Sequence, residues 1–171
     1  MIVEIKELAP NDADRAAWHR VSLLGRAAAM SDPRDRIRSK IARGGKQLKQ
    51  RSCGRHPTLL VLFDNGTFGG IDPTDITNAM YGDETWDVTH PSADQTNAAP
   101  RLGGSRKCTP TASRSLSAVG LLRVSGESVR LQIFHNVHAC CPLPYRWFAF
   151  ESCGQYSIDL RRDGLPEWLR V

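Results

Sequence analysis

The stretch TLLVLF at residues 58–63 decides the fold of this chain. It is an unbroken apolar run of strand length, and DNG at 64–66 follows it with residues typical of a turn. A strand exposed on one side would alternate apolar and polar residues, so an unbroken run predicts a strand that is buried on both faces. Such strands are typical of sheets covered by helices, so the run predicts an α/β fold.

The residues before this strand predict a crossover unit. The segment MIVEIK at 1–6 has the pattern of a strand, and apolar residues recur at helical spacing over 13–30 and over 34–50. Asp32 and Pro33 are a typical N-cap and first residue for the second of these helices. Two strands joined by helices are expected to lie parallel, with a right-handed connection. We therefore expect an α/β or α+β fold with a central mixed sheet flanked by helices.

The second half of the chain predicts a loop followed by a hairpin. Residues 90–115 are rich in Pro, Ser, Thr, Asn, Gly and basic residues, which predicts a mobile basic loop. Strand-like runs at 116–124 and 128–135 flank a Ser-Gly-Glu turn. The chain has 171 residues, 40% of them hydrophobic, which suits a single domain over 1–171.

The charge and the cysteine content of the chain limit the cellular compartments and the binding partners to be expected. The net charge of +5 is compatible with a polyanionic partner but does not require one. Five cysteines are an odd number, and neither a secretory apolar region nor a membrane-length apolar run is present. We expect a cytoplasmic protein with free thiols and no membrane partner. No phosphate-binding glycine loop or nucleophile-elbow motif occurs.

The first strand carries a carboxylate and an ammonium two residues apart. Residues two apart on a strand share a face, so Glu4 and Lys6 are predicted to point the same way, while Val3 and Ile5 point into a core. A carboxylate that holds a divalent cation beside a lysine that orients water suits a phosphodiesterase. The alternative is an ordinary exposed strand end, where such pairs are common.

The helix over 34–51 is strongly basic. Its cations predict contacts with nucleic-acid phosphates, or else an ordinary solvated helix face. Gln47 falls at the margin of the apolar stripe of this helix. A polar side chain at this position either reaches an active site or donates a hydrogen bond to a backbone carbonyl. Two glycines at 44 and 45 weaken the helix by about 1 kcal/mol each relative to alanine, which a close approach to another backbone would explain. The candidate nucleic-acid contacts are Arg34, Arg38, Lys40, Arg43 and Lys46.

The segment HNVHACC at 135–141 is a second candidate cluster. Histidine and cysteine side chains are the usual zinc ligands. Adjacent cysteines do not suit two corners of one tetrahedron, and no Cys-x-x-Cys pair occurs elsewhere. Structural packing at a strand end is therefore favoured over a zinc site, and over a Cys140 nucleophile with His138.

Residues 2–82 resemble the PD-(D/E)XK, or restriction-endonuclease-like, nuclease superfamily. The resemblance rests on EIK at 4–6, KQL at 46–48 in a helix, the buried strand at 59–63 and the helix that follows it. It implies cleavage of phosphodiester bonds in DNA with Mg²⁺ or Mn²⁺. It further implies that Glu4 is a metal ligand, that Lys6 positions the attacking water and that Gln47 is an accessory active-site residue.

One departure from the family decides between two functions. The family has a further acidic residue on a strand before the Glu-x-Lys strand, and only Met1, Ile2 and Val3 precede Glu4 here. The chain therefore resembles a family core that lacks its first elements. We interpret it as a truncated or degenerate member of the family, either active or inactive. The alternative is a non-enzymatic module that binds nucleic acid or another partner through the basic helix and the loop of Arg101 to Arg114. An exposed first strand also favours pairing with a second copy as a homodimer.

Overall fold

The computed structural model describes residues 1–9, 12, 15–16, 32–64, 71–92, 95–159 and 167–171. The helix expected over 13–30 falls outside these residues, apart from 15 and 16. The described strands are β1 (Ile2–Glu7), β2 (Thr58–Asp64), β3 (Glu84–Ser92), β4 (Gln95–Leu102), β5 (Ala118–Ser125), β6 (Ser128–His135), β7 (Cys153–Asp159) and β8 (Glu167–Arg170). The described helices are α1 (Pro33–Ser52), α2 (Pro73–Tyr81) and a short 3-10 helix (Tyr145–Phe148).

Six strands form one mixed sheet in the order β1-β2-β5-β6-β7-β8. β1 and β5 both run parallel to β2, which lies between them. β5 and β6 form an antiparallel hairpin, β6 and β7 are parallel, and β8 closes antiparallel to β7. Six of the seven β2 residues are buried, as the apolar run predicts. The fold class is α/β, with a mixed sheet and two helices.

The helix α1 covers one face of the sheet. The Asp32 side chain accepts a hydrogen bond from the backbone N–H of Arg34, at 2.8 Å, and Pro33 occupies the first turn. Its buried apolar residues are Ile37, Ile41 and Leu48, which contribute to a core with Leu60 and Leu62 of β2 and with α2. Because the side chains of a strand alternate between the two faces of the sheet, the sheet lies between two apolar layers. On the second face, Leu59, Val61, Ala118 and Ile133 pack under Leu143.

The glycine pair in α1 has two different surroundings. A Cβ added to Gly44 would lie 2.6 Å from Cδ1 of Leu60, so α1 approaches a β2 side chain here rather than another backbone. A Cβ added to Gly45 meets nothing within 4 Å. Gly44 therefore permits close packing of the helix on the sheet, and Gly45 does not take part in it.

The segment expected as a loop over 90–115 is partly strand. β3 and β4 pair antiparallel as a separate two-stranded sheet that includes residues 95–102. Backbone pairing gives this segment an order that its polar composition does not predict. Residues 103–117 are irregular and are fixed to α2 where the Cys108 N–H donates to the Met80 carbonyl at 2.7 Å. In the part of the chain that is described, neither helix combines the length and apolarity needed to cross a membrane.

Candidate functional site

The first strand presents Glu4 and Lys6 together on the sheet face that α1 covers. The Lys6 Nζ lies 2.7 Å from Oε1 of Glu4, and the Arg51 Nη1 donates to Oε2 of Glu4 at 3.0 Å. The hydrogen bond from Lys6 lowers the pKa of Glu4 against the opposing effect of burial, and the charges of Lys6 and Arg51 lower it further. Glu4 is therefore ionised at neutral pH, with both oxygens bonded to cations.

The expected inward orientation of Val3 and Ile5 was wrong. Their side chains are 40% and 64% exposed. They pair with Leu59 and Val61 on the second sheet face, whereas Ile2 packs against the core under α1. Because side chains alternate along a strand, the acidic and basic pair on β1 faces the helix side together with Ile2.

Gln47 lies on the same flank of α1 as Arg51. It precedes Arg51 by four residues, or one turn, and its side chain is exposed. Among the described residues, no hydrogen bond joins it to Glu4 or Lys6. The structure thus brings Glu4 and Lys6 into contact and places Gln47 on the neighbouring helix flank.

The described residues do not by themselves fit a Mg²⁺ or Mn²⁺ ion. Such ions require oxygen ligands, and Glu4 is the one carboxylate described in this constellation, with a cation on each oxygen. No cluster of three or more His, Cys, Asp or Glu suited to a metal occurs in the described ranges. The role of Glu4 as a metal ligand stays a prediction.

Two of the expected nucleic-acid contacts are engaged within the protein. The Arg38 Nη2 lies 2.7 Å from both carboxylate oxygens of Asp83, and its Nη1 donates to Asp35 at 2.9 Å. Arg34 forms ion pairs with Asp32 at 2.7 Å and with Asp83 at 3.2 Å. These arginines join α1 to Asp83, two residues past the end of α2, so they serve the packing of the two helices.

Four further cations of α1 lie outside these ion pairs. Arg43, Lys46 and Lys49 are exposed, and Lys40 is half-buried. None of these four has a salt-bridge partner among the residues that the structure describes. They form the outer cation row, defined here as Lys40, Arg43, Lys46 and Lys49.

A groove lies between the carboxyl-terminal half of α1 and residues 111–115. Its volume is about 620 Å³. Three cations contribute to its wall, and none of its described lining residues is acidic. The lining residues are Ala42, Gly45, Lys46, Lys49, Cys53, Gly54, Thr111, Ser113, Arg114, Ser115 and Cys140. Sequence reasoning assigned the helix lysines and Arg114 to two basic segments that could bind the same partner. It did not predict that they line one groove, because Arg114 lies more than sixty residues further along the chain.

The histidines and cysteines of 135–141 point to separate partners. The His135 Nε2 lies 3.1 Å from the Gln155 Oε1, and burial lowers the pKa of His135. The Sγ atoms of Cys140 and Cys141 donate to the carbonyls of Arg114 and Gly54, each at 3.1 Å. These contacts agree with the packing interpretation.

A partly buried ion pair lies at the carboxyl ends of β2 and β5. The Arg123 Nε lies 3.3 Å from Oδ2 of Asp64, which also accepts the Ile71 N–H at 3.3 Å. The sequence placed Asp64 in a turn and gave no sign of this long-range partner. The pair connects neighbouring parallel strands at the rim where open α/β sheets bind ligands.

Comparisons of the chain with protein-family models, with curated proteins and with solved structures find no match.

Proposed function

We propose that this chain is a nucleic-acid-binding domain of restriction-endonuclease-like architecture that contacts the phosphates of DNA through α1. The outer cation row carries the proposal. Its four cations lack carboxylate partners in the described residues, while Arg34 and Arg38 are neutralised by ion pairs within the protein. Cations that are left unpaired on a surface release counterions when they meet phosphates, which favours binding.

The spacing of the outer cation row suits a phosphate backbone. With a rise of 1.5 Å per residue, Lys40 and Lys49 lie about 14 Å apart along the helix axis. Phosphates recur about every 3.4 Å along each strand of a duplex, so the row spans about four of them. Successive members of the row are three residues apart, so the row winds around the helix as it advances, and cations spread in this way fit contacts that position a strand without selecting its sequence.

The parallel pair of β1 and β2, connected through α1, supports the finer assignment to the restriction-endonuclease-like core. In that core, the strand with the Glu-x-Lys pair lies next to a buried strand and under a helix. Here the pair faces α1, and Gln47 lies on the flank of α1 that also carries Arg51. This arrangement of Glu4, Lys6 and Gln47 supports the proposed resemblance to the restriction-endonuclease-like core.

Phosphodiester cleavage is the second candidate, and the contact between Glu4 and Lys6 favours it. On this hypothesis, Lys6 positions the attacking water and Gln47 assists. Incubating duplex DNA with the protein and Mg²⁺ or Mn²⁺ tests it. Cleavage that Lys6→Ala abolishes, in a protein with an unchanged circular dichroism spectrum, would establish this candidate. Absence of cleavage by the wild-type protein would reject it for this chain.

The proposed binding is tested with two variants of equal net charge. One carries Arg43→Gln, Lys46→Gln and Lys49→Gln in α1. The control carries Arg130→Gln, Arg146→Gln and Arg170→Gln, all exposed residues outside α1.

We expect the α1 variant to bind duplex DNA at least about tenfold more weakly than the control variant, because it removes direct phosphate contacts rather than charge alone. Equal affinities would show that net charge, and not the helix, accounts for binding. Absence of DNA binding by the wild-type protein would reject the proposal.

A further inference from the structure

The basic groove between α1 and residues 111–115 shares Lys46 and Lys49 with the outer cation row but differs from that row in shape. It is concave, with a volume of about 620 Å³, within the range of small-molecule sites. Its cations come from two separate segments: Lys46 and Lys49 from the helix, and Arg114 from the loop. Three positive charges around one concavity favour a compact dianion more than a single diester charge.

We propose that this groove binds a phosphate monoester together with the nucleoside that carries it. The inference rests on the proposed function where it takes the ligand to be the phosphorylated end of a DNA strand. A free nucleotide has the same chemistry. The guanidinium of Arg114 can hold two phosphate oxygens, and the lysines add point charges. Ser113 and Ser115 line the same wall.

Gly45 leaves part of the groove open. It lines the groove, and a Cβ at this position meets nothing within 4 Å, so a larger side chain would occupy the groove rather than the core. Gly45→Leu therefore blocks the groove without changing a charge or a core contact. Arg114→Gln removes a charge without filling the groove. The two variants test shape and charge separately.

Two thiols give a readout of binding that needs no catalytic activity. Cys53 and Cys140 are exposed, free and in the groove wall. A bound ligand should slow their alkylation by N-ethylmaleimide. Cys153 lies in β7 and does not line the groove, so its alkylation is the internal control. Peptide mass spectrometry reports each thiol separately.

The experiment compares a DNA duplex with phosphate monoesters at all strand ends with the same duplex ending in hydroxyls. At about ten times its Kd, the phosphorylated duplex fills about nine tenths of the sites and slows alkylation of Cys53 and Cys140 about tenfold. We expect Gly45→Leu and Arg114→Gln to abolish this protection and Arg130→Gln, an exposed position outside both the groove and α1, to retain it. Protection by dTMP but not by thymidine assigns the monoester to a free nucleotide. Protection by the phosphorylated duplex alone assigns it to a strand end.

Equal alkylation rates with both duplexes and with dTMP would overturn the inference. If the duplexes still bind and depend on the outer cation row, the proposed function stands while the groove assignment falls. If dTMP protects the thiols but neither duplex binds, the proposed function falls and the groove binds a nucleotide alone.

Discussion

Replacing each glycine of the α1 pair by alanine should change the stability by different amounts. A glycine within a helix costs about 1 kcal/mol relative to alanine, so both variants gain this amount from the backbone. At Gly45 the added methyl meets nothing within 4 Å, and the gain is retained in full. We expect Gly45→Ala to be about 1 kcal/mol more stable than the wild-type protein.

At Gly44 the same methyl collides with the core. It would lie 2.6 Å from Cδ1 and 3.1 Å from Cδ2 of Leu60, a side chain with no exposed surface. Overpacking of this kind costs about 1–3 kcal/mol, which exceeds or cancels the helix gain. The two alanine variants should therefore differ by about 2 kcal/mol, because the propensity gain is common to both.

Urea unfolding followed by circular dichroism measures this difference, and thermal unfolding should separate the two midpoints by about 4–8 °C for a chain of this size. The wild-type protein is expected between the variants or level with Gly44→Ala. A Gly44→Ala protein as stable as Gly45→Ala would refute the packing of α1 against Leu60 and, with it, the placement of the helix over β2.

Three further predictions concern charged groups. Arg38→Gln should lower the free energy of unfolding by about 2 kcal/mol, less than for a fully buried pair because Asp83 is 31% exposed; a loss under about 0.5 kcal/mol in urea unfolding would contradict this. Lys6→Met should raise the pKa of Glu4 toward its ordinary value of 4.5, as measured by NMR titration of the carboxyl group. The variant should then lose less stability than the wild-type protein as the pH falls through the folded-state pKa of Glu4. An unchanged pKa would argue against the contact between Glu4 and Lys6. Burial lowers the pKa of His135, so on acidification the unfolded state takes up a proton on this side chain before the folded state does. The free energy of unfolding should therefore fall as the pH drops below 6.5, and His135→Gln should make the urea midpoint depend less on pH. An unchanged pH dependence in this variant would assign the loss of stability to another group.

The sheet and its parallel strands could be predicted because their signals are local. Five of the six residues in the run at 58–63 are buried, and a turn at 126–127 separates the two strands of the β5–β6 hairpin, at the expected Ser-Gly-Glu segment. Strand alternation also predicted that Glu4 and Lys6 share a face. It could not say which face the helix covers, because alternation defines two faces without distinguishing them.

The rest depends on contacts between distant segments. Arg34 and Arg38 looked like free cations because their common partner, Asp83, follows them by more than forty residues. Arg114 joins the groove through the fold of an irregular segment. Neither contact could be predicted from composition, because composition gives the number of charged residues and not which of them are close together in the fold.

The salt dependence of DNA binding tests the central claim most directly. Each phosphate contact contributes about 0.9 to the slope of log K against log salt concentration. Removing Arg43, Lys46 and Lys49 together should therefore reduce the slope of the wild-type protein by about 3, while the matched variant with Arg130, Arg146 and Arg170 replaced should keep nearly the whole slope. If both variants reduce the slope equally, or neither does, α1 is not the surface that meets the phosphates.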